Sequence, residues 1–266
     1  VSGKRTYHKF SGMDLNQKDR LNAYDFGVNY ALTQNQSIFA NYNRGFQAPD
    51  IDRFFSPGGG FNGFIEPAKV NNYTVGYNNF QENNKLKIAL FRANLKNEIY
   101  FYNTGNWMIP SYNTNIDKSH KYGVEVYDKF LINENLYTSL NYSYIKAKID
   151  RENEGNGVYD GKDLPGVSKH NLTLGLGYDF YKFSTFLSHS YKSSAYAIND
   201  FKNDFKQKQD AYHSTDFSVS FKHKELEIFG KIQNLFDQKN GLWVKDDAIY
   251  PVNFERTFFA GMKVSF

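Results

Sequence analysis

Along most of this chain apolar and polar residues alternate one by one, the period of a strand with two unlike faces. The clearest stretch is 170–180, where Leu172, Leu174, Leu176, Tyr178 and Phe180 stand against Thr173, Gly175, Gly177 and Asp179. Eleven such stretches predict eleven strands, at 22–33, 37–46, 71–80, 85–101, 120–131, 135–149, 170–180, 182–196, 213–222, 225–236 and 253–266. One parity of each is expected to be the apolar, outward face. That parity holds Tyr24, Phe26, Val28, Tyr30 and Leu32 in the first stretch, and Tyr73, Val75 and Tyr77 in the third. In 85–101 it is assigned to Phe91, Ala93, Leu95, Ile99 and Phe101, and in 120–131 to Tyr122, Val124 and Val126. Leu136, Leu140, Tyr142 and Tyr144 follow in 135–149, then Thr215, Phe217, Val219 and Phe221 in 213–222. The last stretch offers Phe258, Ala260, Met262, Val264 and Phe266.

The connections alternate in length as regularly as the residues do in polarity. Short turns sit near 33–36, 81–84, 132–134, 179–182 and 223–225, and long loops at 47–68, 103–117, 150–167, 197–211 and 237–252. A soluble sandwich gives no reason to collect every short turn at one end. An outer-membrane β-barrel does, with short periplasmic turns and long external loops. The fold class expected is therefore all-β, an antiparallel transmembrane β-barrel whose greasy face meets the bilayer. Eleven is an odd number, and an open sheet leaves unpaired edges in lipid, so these strands are expected to be the C-terminal part of a larger barrel.

Composition sharpens this picture. Only 40% of the residues are hydrophobic, yet there are 25 Phe and 21 Tyr. A disordered chain lacks such aromatics, and barrel strands keep mean hydropathy low while one face stays apolar. No apolar run is long enough for a membrane-crossing helix. The absence of cysteine excludes disulfides, thiolate metal sites and cysteine nucleophiles. The net charge of +4 is modest and dispersed, which is no nucleic-acid footprint.

Several ordered motifs then resemble the C-terminal β-barrel half of TonB-dependent outer-membrane receptors, of the ferric siderophore type. They are NRGFQAPDIDRFF (43–55), FIEPAKVNNYTVGY (64–77), ALFRANLKNEIYF (89–101), NIDKSHKYGVEV (115–126), DLPGVSKHNLTLGLGY (163–178), KIQNLFDQK (231–239) and the terminal Arg256-Thr257-Phe258 to Phe266. Thr74 stands where the family pattern is acidic, and Ser168 where it has a second proline. The resemblance implies a 22-stranded barrel around an N-terminal plug, with residues 1–266 supplying about half the barrel and neither plug nor TonB box. It implies a receptor and not an enzyme, in the cell outer membrane with long loops extracellular, taking up a scarce nutrient, most readily a ferric siderophore. A haem or cobalamin receptor, or a passive porin or adhesin-type barrel, is the alternative. The partners expected are a ferric chelate or similar small ligand, the lipid bilayer, the TonB-ExbB-ExbD complex through the N-terminal part, and the barrel-assembly machinery. Phe258, Val264 and Phe266 are the expected barrel-assembly signal.

Ligand contacts are expected in the long loops, where aromatic rings offer apolar area and basic groups answer anions. The candidates are Arg53, Phe54, Phe55, Phe61 and Phe64 in the first long loop, Trp107, Met108 and Tyr112 in the second, and Trp243 and Lys245 in the last. No resident cofactor or metal is expected. Haem calls for an axial histidine, and the stretch 46–67 has none; His120, His189 and His213 lie near loop ends, and His170 reads as a strand residue. The segment Asp150–Gly161 begins like a calcium loop but carries Gly161 where a bidentate Glu belongs. The carboxylate pairs Asp50/Asp52 and Asp246/Asp247 have no framework for acid–base work.

Overall fold

The computed structural model describes residues 2–3, 19–55, 61, 63–102, 104, 108–240, 243–245, 248–250 and 255–265. All eleven expected strands form. They are β1 (Tyr24–Ala31), β2 (Gln36–Gln47), β3 (Ala68–Phe80), β4 (Asn84–Tyr102), β5 (Tyr112–Leu131) and β6 (Leu136–Arg151), then β7 (His170–Phe180), β8 (Phe183–Lys192), β9 (Tyr212–His223), β10 (Leu226–Gln233) and β11 (Thr257–Val264). Each pairs antiparallel with the next, giving one up-and-down sheet in sequence order that does not close on itself. Two-residue and three-residue ribbons lie outside it, Ser2–Gly3 with Leu21–Asn22 and Trp243–Lys245 with Ala248–Tyr250.

Because every pairing is antiparallel and in chain order, the short turns share one end and the long loops the other. The short end closes economically: Ile132 N–H reaches the Leu136 carbonyl at 2.8 Å, and Asn133 Oδ1 accepts from the Asn135 and Leu136 amides at 2.9 Å each. Tyr181 and Lys224 take positive φ, 55° and 50°, to turn β7 into β8 and β9 into β10.

Register shows which side chains share a face, since residues directly opposite in a ladder point the same way. Ala40, Val75, Leu90, Val124 and Tyr144 form one continuous row across β2–β6. This is the outer face. Val75 is 53% and Leu90 56% exposed, and Phe26, Val28 and Tyr30 on β1 are each about two-thirds exposed (64–65%). In water such a surface is costly; against hydrocarbon it is not.

The inner face is concave and polar. Asn41 donates to Asp25 at 2.8 Å, Asn72 to Asn43 at 2.9 Å, and Asn78 to Ser37 at 3.1 Å, so its amides bond across strands. Four of the bulky inner residues are aromatic rings that lie over a glycine directly opposite: Phe39 on Gly76, Phe91 on Gly123, Tyr137 on Gly177 and Phe229 on Gly261. A Cβ at any of these glycines would enter the facing ring, or at Gly123 the Tyr144 carbonyl. The glycines thus let rings lie flat along the wall and leave the interior open.

One expectation of sidedness fails. Phe91, Ala93 and Leu95 face inward, because the register puts Leu90 in the outer row and Glu98 reaches Ser119 and Lys121, the partners of Leu95 and Ala93. The cause is Asn97, whose φ of 57° takes it out of the extended conformation and reverses the parity of β4 at that point. Beyond it Tyr100 is buried, while Ile99 and Phe101 take the outer parity, Phe101 at 45% exposure. The remaining assigned faces agree with the register.

This sidedness is testable at the one strand where pattern and structure part. Leu90→Arg is expected to destabilise the folded barrel in vesicles by about 2–4 kcal/mol, the range for a basic residue at the bilayer midplane. Thr173→Arg on the inner face is expected to leave denaturant midpoints nearly unchanged. Equal midpoints for the two variants would mean that the faces are assigned wrongly.

Candidate functional site

The long-loop end carries most of the buried residues. The first long loop, between β2 and β3, makes a single 3-10 turn at Ile51–Phe54 and then packs on its own rings. Phe54 meets Phe64 edge-on at 5.6 Å, Phe61 meets Phe64 at 5.3 Å, and Phe55 meets Phe61 at 5.9 Å. Phe54 is 2% exposed, whereas Arg53 on the same turn is exposed. Asn115 of β5 clamps this loop to the sheet. It accepts from the Glu66 amide at 2.9 Å and donates to the Glu66 and Asn97 carbonyls at 3.0 and 2.8 Å. The same side chain therefore holds the parity-reversing Asn97 in place.

A second core stands where β4, β5 and β6 extend beyond the apolar rows. Tyr100, Ile116, Ala147, Ile149, Tyr159 and Leu164 are buried together, with Tyr102, Val167 and Phe201 against them. The loop 152–169 folds back over it, Gly161 and Leu164 bonding the Ile149 and Ala147 carbonyls at 2.8 and 3.0 Å. Its anchor is Glu152, 1% exposed, which accepts from Tyr100 Oη at 2.7 Å and from the Gly155 amide at 2.8 and 2.9 Å. Glu154 accepts from Tyr112 Oη at 2.8 Å and Thr114 Oγ1 at 2.7 Å. A carboxylate buried without such donors would be costly. The loop after β8 joins through Asn203, which accepts from the Asp163 amide at 2.8 Å and donates to its carbonyl at 3.0 Å.

These bonds raise the tyrosine pKa values. Burial and then the bond to Glu154 push Tyr112 up to about 12, and burial pushes Tyr159 to about 12. Tyr100 is raised further still, by burial first and then by its bond to Glu152. Lys169 is raised by its hydrogen bond to Asp163 at 2.8 Å.

The structure thus gathers Phe54, Phe55, Phe61 and Phe64 into one cluster beside Arg53, and leaves Met108 69% exposed on a neighbouring loop. Tyr112 is engaged with Glu154. Trp243 and Lys245 lie on one strand of the short ribbon after β10, their side chains outside the described residues, as are Trp107 and Phe266. Phe258 and Val264 are exposed on the outer face of β11. His120 bonds Asp150 at 2.7 Å and His189 bonds Thr215 at 2.9 Å; with His213 they lie on the outer face. In the calcium-like segment Asp150 takes His120, while Glu152, Glu154 and Asp160 take tyrosine, threonine and backbone donors, and among the described residues no group of three or more acids or histidines is placed to hold a metal. Reading residues one at a time missed Tyr100, Glu152, Tyr159 and Phe201, whose association requires three strands and two loops. The signal available was the pair of glutamates in an otherwise glycine-rich loop.

Below the loops the inner wall forms a polar concavity of about 720 Å³, lined among others by Lys87, Glu125, Tyr127, Asn141, Ser143 and Thr173. The hollow has room for a small ligand and a lining of both polar and apolar groups.

A family model described as TonB dependent receptor-like, beta-barrel, matches residues 2–235. An uncharacterised TonB-dependent receptor of Haemophilus influenzae is 28% identical over 247 residues, 87% of this chain and 67% of that protein. Among solved structures, the ferric yersiniabactin uptake receptor FyuA from Yersinia pestis superposes with a TM-score of 0.74 at 19% identity, over 94% of this chain and 38% of its own. The copper transporter OprC superposes with a TM-score of 0.74 at 15% identity, over 97% and 41%. The chain therefore spans about two-fifths of the solved structures it resembles.

Tyr100→Phe, which removes a donor from buried Glu152, is expected to raise hydrogen exchange at least several-fold across 152–169 while barrel insertion stays unchanged. The pH dependence follows from the raised values. A phenol whose folded pKa exceeds its unfolded value of 10.0 stabilises the fold fully below that value and loses this contribution as pH rises through about 12. Tyrosinate absorbance is thus expected to show a late step near 12 that moves down towards 10 in denaturant. A single step at the free-tyrosine value in the folded protein would contradict the buried core.

Proposed function

This chain belongs to the TonB-dependent receptor β-barrel family, and on that premise we propose that it forms the wall and ligand mouth of a receptor importing a scarce nutrient across the outer membrane, a ferric siderophore first. The observation that carries the reading is the pairing of an apolar outer face with a polar inner hollow, capped at one end by ordered aromatic loops. The long-loop end is the extracellular mouth. There Arg53, Phe55, Phe61, Phe64, Trp107, Met108, Trp243 and Lys245 meet the ligand, rings against its apolar parts and cations against its negative charge, while buried Phe54 and the Glu154-bonded Tyr112 order the loops behind them.

The sheet completes a closed barrel by adding strands at its β1 and β11 edges, since an open edge in hydrocarbon leaves backbone groups unbonded. Residues 1–266 are its C-terminal part, a plug fills the hollow, and TonB-ExbB-ExbD supplies energy through that plug's side of the receptor. Phe258 and Val264 on the outer row of β11, together with the terminal Phe266, are the signal for the barrel-assembly machinery. FyuA is described as a ferric yersiniabactin uptake receptor, which makes a siderophore one candidate nutrient. OprC, a copper transporter, is as similar in fold, so the choice rests on the loops' rings and cations rather than on the wall.

Whole-cell uptake of labelled ferric chelates, with and without the gene, tests this. At least one chelate in a broad panel is expected to lose most of its uptake on deletion, and Arg53→Ala is expected to weaken its binding about tenfold without lowering receptor level. Unchanged uptake across the panel would sink the siderophore reading.

A further inference from the structure

The outer face changes character abruptly on β2–β6. The aliphatic row of Ala40, Val75, Leu90, Val124 and Tyr144 is followed, one step toward the long loops, by Tyr42, Tyr73, Arg92, Tyr122 and Lys146. The next row is Arg44, Asn71, Asn94, His120 and Lys148. The third is Phe46, Lys69, Lys96, Lys118 and Arg151. These three rows hold eight lysines and arginines and no carboxylate. Among the described residues, Arg151 pairs with Asp117 at 3.0 Å, and none of the other seven makes an ion pair with a carboxylate. Asp150 beside these rows is taken by His120 at 2.7 Å, and the Glu98 carboxylate turns to the inner Lys121 at 3.0 Å.

Like charges this close repel one another. Seven cations on adjacent strands, with no counter-charge among the described residues, form a surface suited to an anionic partner. Their position restricts what that anion is. The rows begin directly above tyrosines that border an aliphatic surface, where a lipid's headgroup meets its acyl chains. Arg92 sits between Tyr73 and Tyr122, so a group it binds touches the hydrocarbon border, and Lys96 and Lys118 lie two steps further out.

We propose that the outer surface of β2–β6 binds a phosphorylated lipid of the outer leaflet. Its acyl chains run down the strands across the Val75, Leu90 and Val124 row, and its phosphates rest on Arg44, Arg92, Lys96 and Lys118. Arginine forks suit bidentate phosphate contact, and the lysines add point charges above them. The proposal rests on the membrane-spanning reading of the outer face. It is independent of which nutrient is imported.

The test uses the full-length receptor extracted from outer membranes into detergent, with bisphosphorylated lipid A as probe and bound lipid counted by native mass spectrometry. The wild type is expected to retain the lipid. The quadruple variant Arg44→Gln, Arg92→Gln, Lys96→Gln, Lys118→Gln is expected to bind it more weakly, by about five-fold for each cation removed, as about 1 kcal/mol per basic residue near an anionic surface implies. The pair Lys96→Gln, Lys118→Gln, opposite one another beyond the border, is expected to show part of the loss and guards against misfolding of the larger set. A matched charge change on the inner face, Lys87→Gln with Lys129→Gln, is expected to change nothing. Unchanged affinity in the outer variants, equal loss in the inner pair, equal binding of phosphatase-treated lipid A, or full displacement by inorganic phosphate would each overturn the proposal. Absence of the wild type from the outer-membrane fraction would instead overturn the reading beneath it.

Discussion

A peptide group placed in hydrocarbon has no water to bond, and each one left unpaired costs several kcal/mol. The rest of this molecule depends on that constraint. Eleven strands meet it by pairing each neighbour in chain order, without a crossover, so every interior strand bonds on both sides. Among the described residues the ladder stops only at the outer edges of β1 and β11. An in-order antiparallel sheet also separates its connections by kind, and this separation leaves one end of the molecule bare of loops and the other rich in them.

With the backbone satisfied inside the sheet, side chains are free to answer two different surroundings. The outer parity is aliphatic at mid-height and aromatic, then cationic, toward the long loops. The inner parity carries amides and hydroxyls that bond across strands, together with rings laid flat over opposing glycines. Among the described residues no packed hydrophobic centre lies between the two faces. The wall is one sheet thick, and its interior is the hollow itself.

Ordinary protein packing returns only where the strands rise past the apolar rows. There Tyr100, Ile116, Ile149 and Tyr159 build a small core, and buried Glu152 fixes the returning loop through Tyr100 and the Gly155 amide. The loops over the mouth are therefore built structures with their own cores. Asn115 links the first long loop to the bend in β4, so the position of the phenylalanine cluster and the parity of the strand beneath it share one clamp.

The strand number, the turn-and-loop alternation and nearly every outward face were legible in the sequence, because period-two alternation against a sharp change of solvent leaves one workable parity per strand. The family was legible too, through motifs such as DLPGVSKHNLTLGLGY that lie on strands and turns. Only tertiary structure decided the faces of β4, since both parities of 85–101 carry apolar residues and the bend at Asn97 depends on a bond from a strand away. It alone decided that Tyr112 serves Glu154, that Glu152 is buried, and that cations scattered over five strands stand in three adjoining rows. Alternation is a local property, set by the bond geometry of a single strand. Register, burial and the summing of charge arise between strands distant in sequence, and no single stretch contains them.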